Sequence, residues 1–325
     1  MRYIFKNITI CSIFGAQNNI YDSLTVIEPN SRKTMSNEKL VQIKTAGFIL
    51  KPDAPEIKPL YEKIKAQFEA KGIMVLIGDK SAKMIELKGI PFKSMCEKSD
   101  FLVSLGGDGT LLSLVRRSYD YHKPVVGINA GTLGFLADIT IDDVDNFLEQ
   151  LLDAEYRIDN RMMMEGCITT KEGEKSPFFA LNDVVITRPV ISKMARINAS
   201  IDGEWFNTYR GDGLIISTPT GSTAYNLAAG GPVMYPLTKA FIMTAVSAHS
   251  LTNQRPLVVP ADFTIELSSP SEKVIAVIDG QDHYEMHEGD VLSIQGAKIG
   301  AKLLHRKERN YFSVLREKLS WGDKH

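Results

Sequence analysis

From residue 46 onward the chain sets short apolar runs against stretches whose apolar positions recur every three or four residues. Ala46-Gly47-Phe48-Ile49-Leu50 reads as a buried strand, and over residues 57–71 Ile57, Leu60, Ile64, Phe68 and Ala70 fall near helical spacing with lysines and glutamates between them. Further short strands are predicted at residues 73–77, 101–105 and 125–128, with an apolar helix start at Leu111-Leu112 between the last two. Strands that alternate with helices predict a parallel sheet, because a parallel crossover needs a connection long enough to be a helix. Thr140 and Asp143 predict the start of a helix whose Val144, Phe147, Leu148, Leu151 and Leu152 form one apolar face, closing this part near residue 155.

The texture then changes. Residues 168–170, 183–187, 197–201 and 263–267 are short, β-branched and often alternating, which predicts antiparallel sheet. Asp202-Gly203 suits a two-residue hairpin, whose central positions both take positive φ. Residues 311–322 predict a short amphipathic helix docked by Phe312, Leu315 and Leu319. The fold class expected is a Rossmann-like α/β domain followed by a β-rich domain of antiparallel sheet, with the C-terminal helix packing back on the first. The expected divisions are a poorly ordered extension over residues 1–44, an α/β domain over 45–157 joined by 306–325, and a β-rich domain over 158–305.

Composition narrows the class. At 325 residues, 44% hydrophobic and 24% charged, the chain can bury two cores and is neither disordered nor fibrous as a whole. A formal net charge of -1 provides no broad positive field for nucleic acid or anionic membrane, so neither is expected as a partner. No apolar run approaches the roughly 18 residues of a membrane span. Cys11, Cys96 and Cys167 are odd in number, far apart and without a CxxC pair, which predicts a reducing, cytoplasmic setting without structural zinc. Arg2 and Lys6 before residues 8–14 faintly resemble a signal peptide, but the apolar core is short and interrupted, and Met35 stands as an alternative start.

Two strands empty into glycine-rich loops. After residues 101–105 come Gly106-Gly107-Asp108-Gly109-Thr110, where glycines let backbone N–H groups approach phosphate oxygens and the next helix adds its positive end. Asp108 would repel phosphate, so its useful roles are to accept a proton from or orient an attacking hydroxyl, or to hold a divalent cation; a simple helix cap is the plainer reading. Residues 129–135 follow the strand at 125–128 and are expected to face the same cleft. In the stretch from Arg210 to Tyr225 a second buried-strand run empties into the loop Thr218 to Tyr225, dense in glycine and hydroxyls. Neither is a Walker A loop or a GxGxxG fingerprint. His283 and His287 are not in HExxH order and adjoin turn residues, so no dedicated protein metal site is expected.

Taken together, Gly106-Gly107-Asp108-Gly109-Thr110, Asn182-Asp183, Gly211-Asp212-Gly213, Thr218-Pro219-Thr220-Gly221-Ser222-Thr223-Ala224-Tyr225, Gly230-Gly231-Pro232 and Lys318-Leu319-Ser320-Trp321 resemble the NAD kinase family in order and spacing. The resemblance spans roughly residues 45–322, and the long second motif is the specific one, since lipid kinases and phosphofructokinases share a GGDGT-like turn. It implies transfer of the γ-phosphoryl of ATP to the 2′-hydroxyl of the adenosine ribose of NAD, with a divalent cation, Mg²⁺ as a rule, carried on the ATP. Asp108 with Gly109 would serve the ribose hydroxyl, while Gly106, Gly107, Gly109 and Thr110 would cradle phosphate. Asn182, Asp183, Arg210, Asp212, Thr223, Ala224, Tyr225, Asn226, Leu227, Ala228 and Gln281 would line the NAD pocket, with Lys193 at a further contact position. The family also implies a homodimer or homotetramer. Two departures stand out: Asp183 occupies a position where the family usually has Glu, and residues 245–251 lack its usual prolines.

Overall fold

The computed structural model describes residues 38–131, 134–189, 194–250, 254–270 and 273–322. The expected N-terminal extension as far as residue 37, the signal-like segment, Met35, Lys193, residues 132–133 of the second turn and Leu251 lie outside the described residues.

The first sheet runs in the order Met74–Ile77, Thr45–Leu50, Phe101–Gly106, Val125–Asn129, Ala301–Arg306, Tyr156–Arg161. The first five strands are parallel and Tyr156–Arg161 is antiparallel to its neighbour. Because side chains alternate across a strand, Phe48, Leu50, Phe101, Val103, Val126 and Ile128 face one way, onto Tyr61, Ile64 and Phe68 of the helix Lys58–Ala70 and Phe147, Leu148 and Leu151 of the helix Val144–Leu152. Ile49, Leu102 and Val125 face the other way, onto Met95 and Cys96 of the helix Phe92–Lys98 and Leu111, Leu114 and Val115 of the helix Asp108–Arg117. Phe48 meets Phe68 edge to face, with ring centroids 5.1 Å apart. Both faces being covered explains why these strands read as continuous apolar runs.

Two six-stranded sheets, antiparallel throughout, make the β-rich part. One runs Glu204–Gly211, Ala195–Ile201, Ile265–Ser268, Val291–Gly296, Met164–Thr169, Lys175–Ala180; the other runs Leu257–Pro260, Ala240–Val246, Gly213–Ser217, Asp183–Thr187, Val274–Ile278, Asp282–Met286. Ile168, Ile197, Leu267 and Ile294 of the first share one core with Ile186, Leu214, Ile216, Phe241 and Ala276 of the second, as in a sandwich. Asp202 (φ 49°) and Gly203 (φ 80°) turn the hairpin with the positive φ pair anticipated.

The α/β-then-β-rich order matches expectation, and three details differ. Residues 158–161 and 301–305, expected with the β-rich part, pair instead in the first sheet, so the chain leaves that sheet at Arg161 and rejoins it at Ala301. The helix begins at Asp108 itself, before its first apolar residues. In the C-terminal helix Tyr311–Leu319, Leu315 is buried but Phe312 is 61% exposed and Leu319 only half-buried. Phe312 lies against the Tyr235 ring, at a centroid distance of 6.0 Å, and the Tyr311 hydroxyl donates to the Met234 carbonyl. The residues leading into the helix hold it to the first domain, Arg306 pairing with Asp143 and Lys307 with Glu155.

Candidate functional site

Strand Phe101–Gly106 ends at the carboxyl edge of the parallel sheet, and the chain turns at Gly107 straight into the helix carrying Asp108. The neighbouring strand ends at the same level, with the Ala130 N–H donating to the Gly106 carbonyl at 2.9 Å. The chain beyond it returns over Asp108, whose carboxylate accepts from the backbone N–H groups of Phe135 (2.8 Å), Leu136 (3.2 Å) and Ala137 (2.9 Å). A Cβ at Gly134 would lie 2.0 Å from Asp108 Oδ1, so only glycine lets the two segments approach this closely. Residues 129–135 were expected near Asp108; their amides as its clamp were not, because nothing in residue type marks a backbone donor.

A cavity of about 770 Å³ opens beside this turn. Gly107, Gly109, Thr110, Ser113 and Arg117 form one wall, Lys51 to Asp53 and Asp79 to Ser81 follow the ends of two further parallel strands, and Gln281 reaches in from the β-rich part. This is where open α/β sheets bind ligands, and Lys51, Lys80 and Arg117 supply cationic groups. Gly107, Gly109 and Thr110, expected to cradle phosphate, line this cavity, and so does Gln281, expected in the NAD pocket.

The two domains are clasped across this region. Gln281 Nε2 donates to the Gly109 carbonyl at 2.9 Å, and Arg116, on the Asp108 helix, donates to the Phe179 carbonyl at 2.9 Å and to Gln281 Oε1 at 3.2 Å while pairing with Asp282. Arg116 Nε is also 3.6 Å from Asp279. Asp279 has φ 50° and turns its carboxylate onto the N–H groups of Leu181 (2.8 Å), Asn182 (2.8 Å) and Asp183 (2.9 Å). The signal for Asp279 in the sequence is its place before Gly280, directly after the apolar strand Val274–Ile278.

Burial, and then the charge of Asp279, push the Asp183 carboxyl up to about 7. Asp279 is raised by burial as well, against the three N–H groups and Arg116. The Oδ1 of Asn182 is buried and meets no hydrogen-bond partner among the described residues. An unsatisfied buried acceptor is costly, and a polar ligand group would satisfy it.

The second loop is arranged differently. Gly221 N–H donates to Thr218 Oγ1 at 3.1 Å, the Ser222 hydroxyl donates to the Pro219 carbonyl at 2.7 Å and accepts from Met234 N–H at 3.0 Å. Asn226 is wholly buried; its Nδ2 donates to the carbonyls of Ser222 and Pro232, both at 3.1 Å, and its Oδ1 accepts from Thr244 Oγ1 at 2.7 Å. A Cβ at Gly231 would lie 1.9 Å from Asn226 Oδ1, which accounts for the second glycine of Gly230-Gly231. Asn226, expected in the NAD pocket, therefore has its polar groups engaged by the loop itself. Tyr225 is 46% exposed, Ala228 is exposed, and Thr223, Ala224 and Leu227 are half-buried, so this rim offers contact surface. Arg210 is exposed, and Asp212 pairs with Arg188 at 2.8 Å.

Among the described residues no three His, Cys, Asp or Glu side chains cluster as a metal site, and His283 and His287 are exposed on their hairpin. Asp53 and Asp79 on the cavity wall are carboxylates suited to a cation arriving with a polyanionic ligand.

A glycine-turn cavity at the carboxyl edge of a parallel sheet, with an anchored aspartate at its rim and a β-rich domain clasped over it, defines a nucleotide-binding protein of the phosphoryl-transfer kind. Residues 46–156 match the ATP-NAD kinase N-terminal domain and residues 181–305 match the ATP-NAD kinase C-terminal domain. The chain is 50% identical over 281 residues to the NAD kinase of Sulfurimonas denitrificans, covering 86% of this chain and 98% of that one. Among solved structures it resembles an NAD kinase from Archaeoglobus fulgidus in complex with ATP (TM-score 0.68, 25% identity, 85% of this chain and 98% of that chain). Its fold also resembles yeast NADH kinase complexed with NADH (TM-score 0.79, 24% identity, 87% and 89%). The chain belongs to the ATP-NAD kinase family.

Proposed function

We propose that Asp108 orients the 2′-hydroxyl of the adenosine ribose of NAD, and accepts its proton, for attack on the γ-phosphoryl of ATP. This is the reaction of the family, in which ATP and NAD give ADP and NADP. The observation that carries the assignment is the three-amide clamp on Asp108, which fixes a carboxylate beside a glycine turn. Phosphoryl transfer leaves a protein little covalent chemistry, so rate comes chiefly from alignment and from neutralising charge.

The donor occupies the 770 Å³ cavity, its phosphates against Gly107, Gly109 and Thr110 with Lys51, Lys80 and Arg117 balancing their charge. A divalent cation carried by the phosphates would add to that neutralisation, with Asp53 and Asp79 as the carboxylates that would help hold it. NAD lies toward the β-rich domain, where the unpartnered Asn182 Oδ1 takes a donor from it and Tyr225 offers a ring for stacking. Arg210, Asp212, Thr223, Ala224, Leu227 and Ala228 complete that pocket, and Asn226 serves it by shaping the loop. The protein works in the cytoplasm as a homodimer or homotetramer; no described helix is long and apolar enough to cross a membrane.

The test is an endpoint assay with NAD, ATP and Mg²⁺ in which NADP is detected by a strictly NADP-dependent dehydrogenase, with Asp108→Asn alongside. NADP from wild type and a small fraction of it from the variant are expected. Equal turnover by both would overturn the role of Asp108, and NAD bound without any NADP formed would overturn the donor assignment.

A further inference from the structure

Asp108 is held by a segment outside its own loop, and that segment is held in turn by buried charged groups with no direct part in the reaction. Asp138, Asp159, Arg161, His305 and Arg309 are all less than a tenth exposed. The Arg309 guanidinium makes three contacts at once. Its Nη2 donates to the Phe135 carbonyl, its Nε lies 2.8 Å from Asp138 Oδ2, and its Nη1 lies 2.9 Å from the His305 ring nitrogens. His305 Nδ1 is 3.2 Å from Asp138 Oδ2.

Burial, reinforced by the Arg309 charge, depresses the His305 pKa to about 4, so the ring is neutral near pH 7. A neutral ring has one N–H and one lone pair; Arg309 Nη1 lies 2.9 Å from both ring nitrogens, and the tautomer protonated on Nδ1 lets the ring donate to Asp138 while Nε2 accepts from Arg309. With the ring neutral, the hydrogen bond from His305 and the charge of Arg309 hold Asp138 ionised against the upward push of burial. On the far side Asp159 is paired with Arg161 at 3.0 Å and Arg157 at 3.2 Å.

Stability gives only a weak reason for such a cluster. Each buried ion loses hydration worth several kcal/mol, and well-packed apolar residues often hold a core equally well. Position gives a stronger reason. The carbonyl that Arg309 grips belongs to Phe135, whose own N–H holds Asp108, and Asp138 follows directly on Ala137, whose N–H holds it too. The cluster therefore pins the amide clamp at both ends.

We propose that Arg309, set in place by Asp138 and His305, is a positioning residue that aims the carboxylate of Asp108 through residues 135–137. The proposal rests on the role given to Asp108 above.

The test is a double-mutant cycle on the full-length enzyme. Lysine keeps the charge of Arg309 but cannot make a planar three-way contact, so Arg309→Lys should lower kcat by about 10- to 100-fold, as a misplacement of about 1 Å can. KM for ATP and for NAD should stay within about twofold, because neither substrate is held by Arg309. In the Asp108→Asn background the same change should cost no further turnover, since the group it aims is gone.

Unchanged kcat in Arg309→Lys, a rise in KM with kcat intact, or losses that multiply in the double variant would each overturn the proposal. Wild-type turnover in Asp108→Asn alone would instead overturn the assignment it rests on, and the two failures are thereby distinguished. If Arg309→Lys does not fold, His305→Gln runs the same cycle, with a smaller drop in kcat and the same lack of effect once Asp108 is replaced.

Discussion

The two glycine-rich loops of this protein resemble each other on paper and are built on opposite plans. In the 106–110 turn the one charged side chain is held from outside, by amides 27 to 29 residues further along the chain. In the 218–226 loop the polar side chains hold the loop itself: Thr218, Ser222 and Asn226 spend their hydrogen bonds on carbonyls and amides of residues 181–232 and on the Thr244 hydroxyl. The difference teaches that a conspicuous polar motif is two kinds of thing. One loop uses a single polar group for chemistry and borrows its support; the other uses most of its polar groups as support and leaves a rim of Thr223, Ala224, Tyr225 and Leu227 for contact.

That contrast can be broken by substitution. The largest effect is expected at Asp108: Asp108→Asn keeps size and shape, so NAD affinity by titration calorimetry should change little while turnover falls by roughly 10² to 10⁴, the usual span for a positioned base. Gly134→Ala comes next, because its Cβ must displace either the carboxylate or the clamp. A displacement of about 1 Å can lower kcat about 10²-fold with the melting profile little altered. Retention of full activity would mean that the clamp is dispensable.

The second loop should respond in stability instead. Asn226→Ala leaves the Ser222 and Pro232 carbonyls and the Thr244 hydroxyl without their partner, at a cost of about 1–3 kcal/mol read from the denaturation midpoint. Turnover per folded molecule should stay within a few-fold of wild type. A collapse of kcat without loss of stability would make Asn226 a substrate contact and erase the distinction between the loops.

The remaining prediction is a pH dependence. The Asp183 carboxyl titrates at about 7 when folded, against about 3.9 for an unfolded chain, so between those values the native state binds the extra proton. Its contribution is fully present below about pH 4, is lost as pH rises through 7, and is level above. Asp183→Asn should therefore gain stability over wild type across that window and gain no more beyond it, with the step broadened by coupling to Asp279. A constant difference from pH 4 to 8 would refute the buried carboxylate pair.

Much of the fold was legible along the chain, for reasons that can be named. Phe48, Phe101 and Val126 stand in runs that only a sheet covered on both faces would bury, and Asp202-Gly203 called for a hairpin that positive φ values then realise. What was not legible was where the chain rejoins itself. Nothing local in residues 158–161 or 301–305 assigns them to the first sheet, because strand pairing is settled by partners some 140 residues apart. Phe312 is apolar and correctly spaced, yet the surface it rests on is one Tyr235 ring, so it stays mostly exposed.

The same division runs through the site. By itself the sequence determined which side chains carry charge, hydroxyl and amide, where glycine allows a close turn, and which family the chain resembles, since these reside in residue identity and spacing. The tertiary structure decided which of those groups are occupied and which are free. It turned Asn226 inward, left Asn182 Oδ1 without a partner among the described residues, brought Asp279 onto Asp183, and set Arg309 behind the clamp on Asp108. Backbone amides and buried partners have no signature in residue type, and they exist only once distant segments meet.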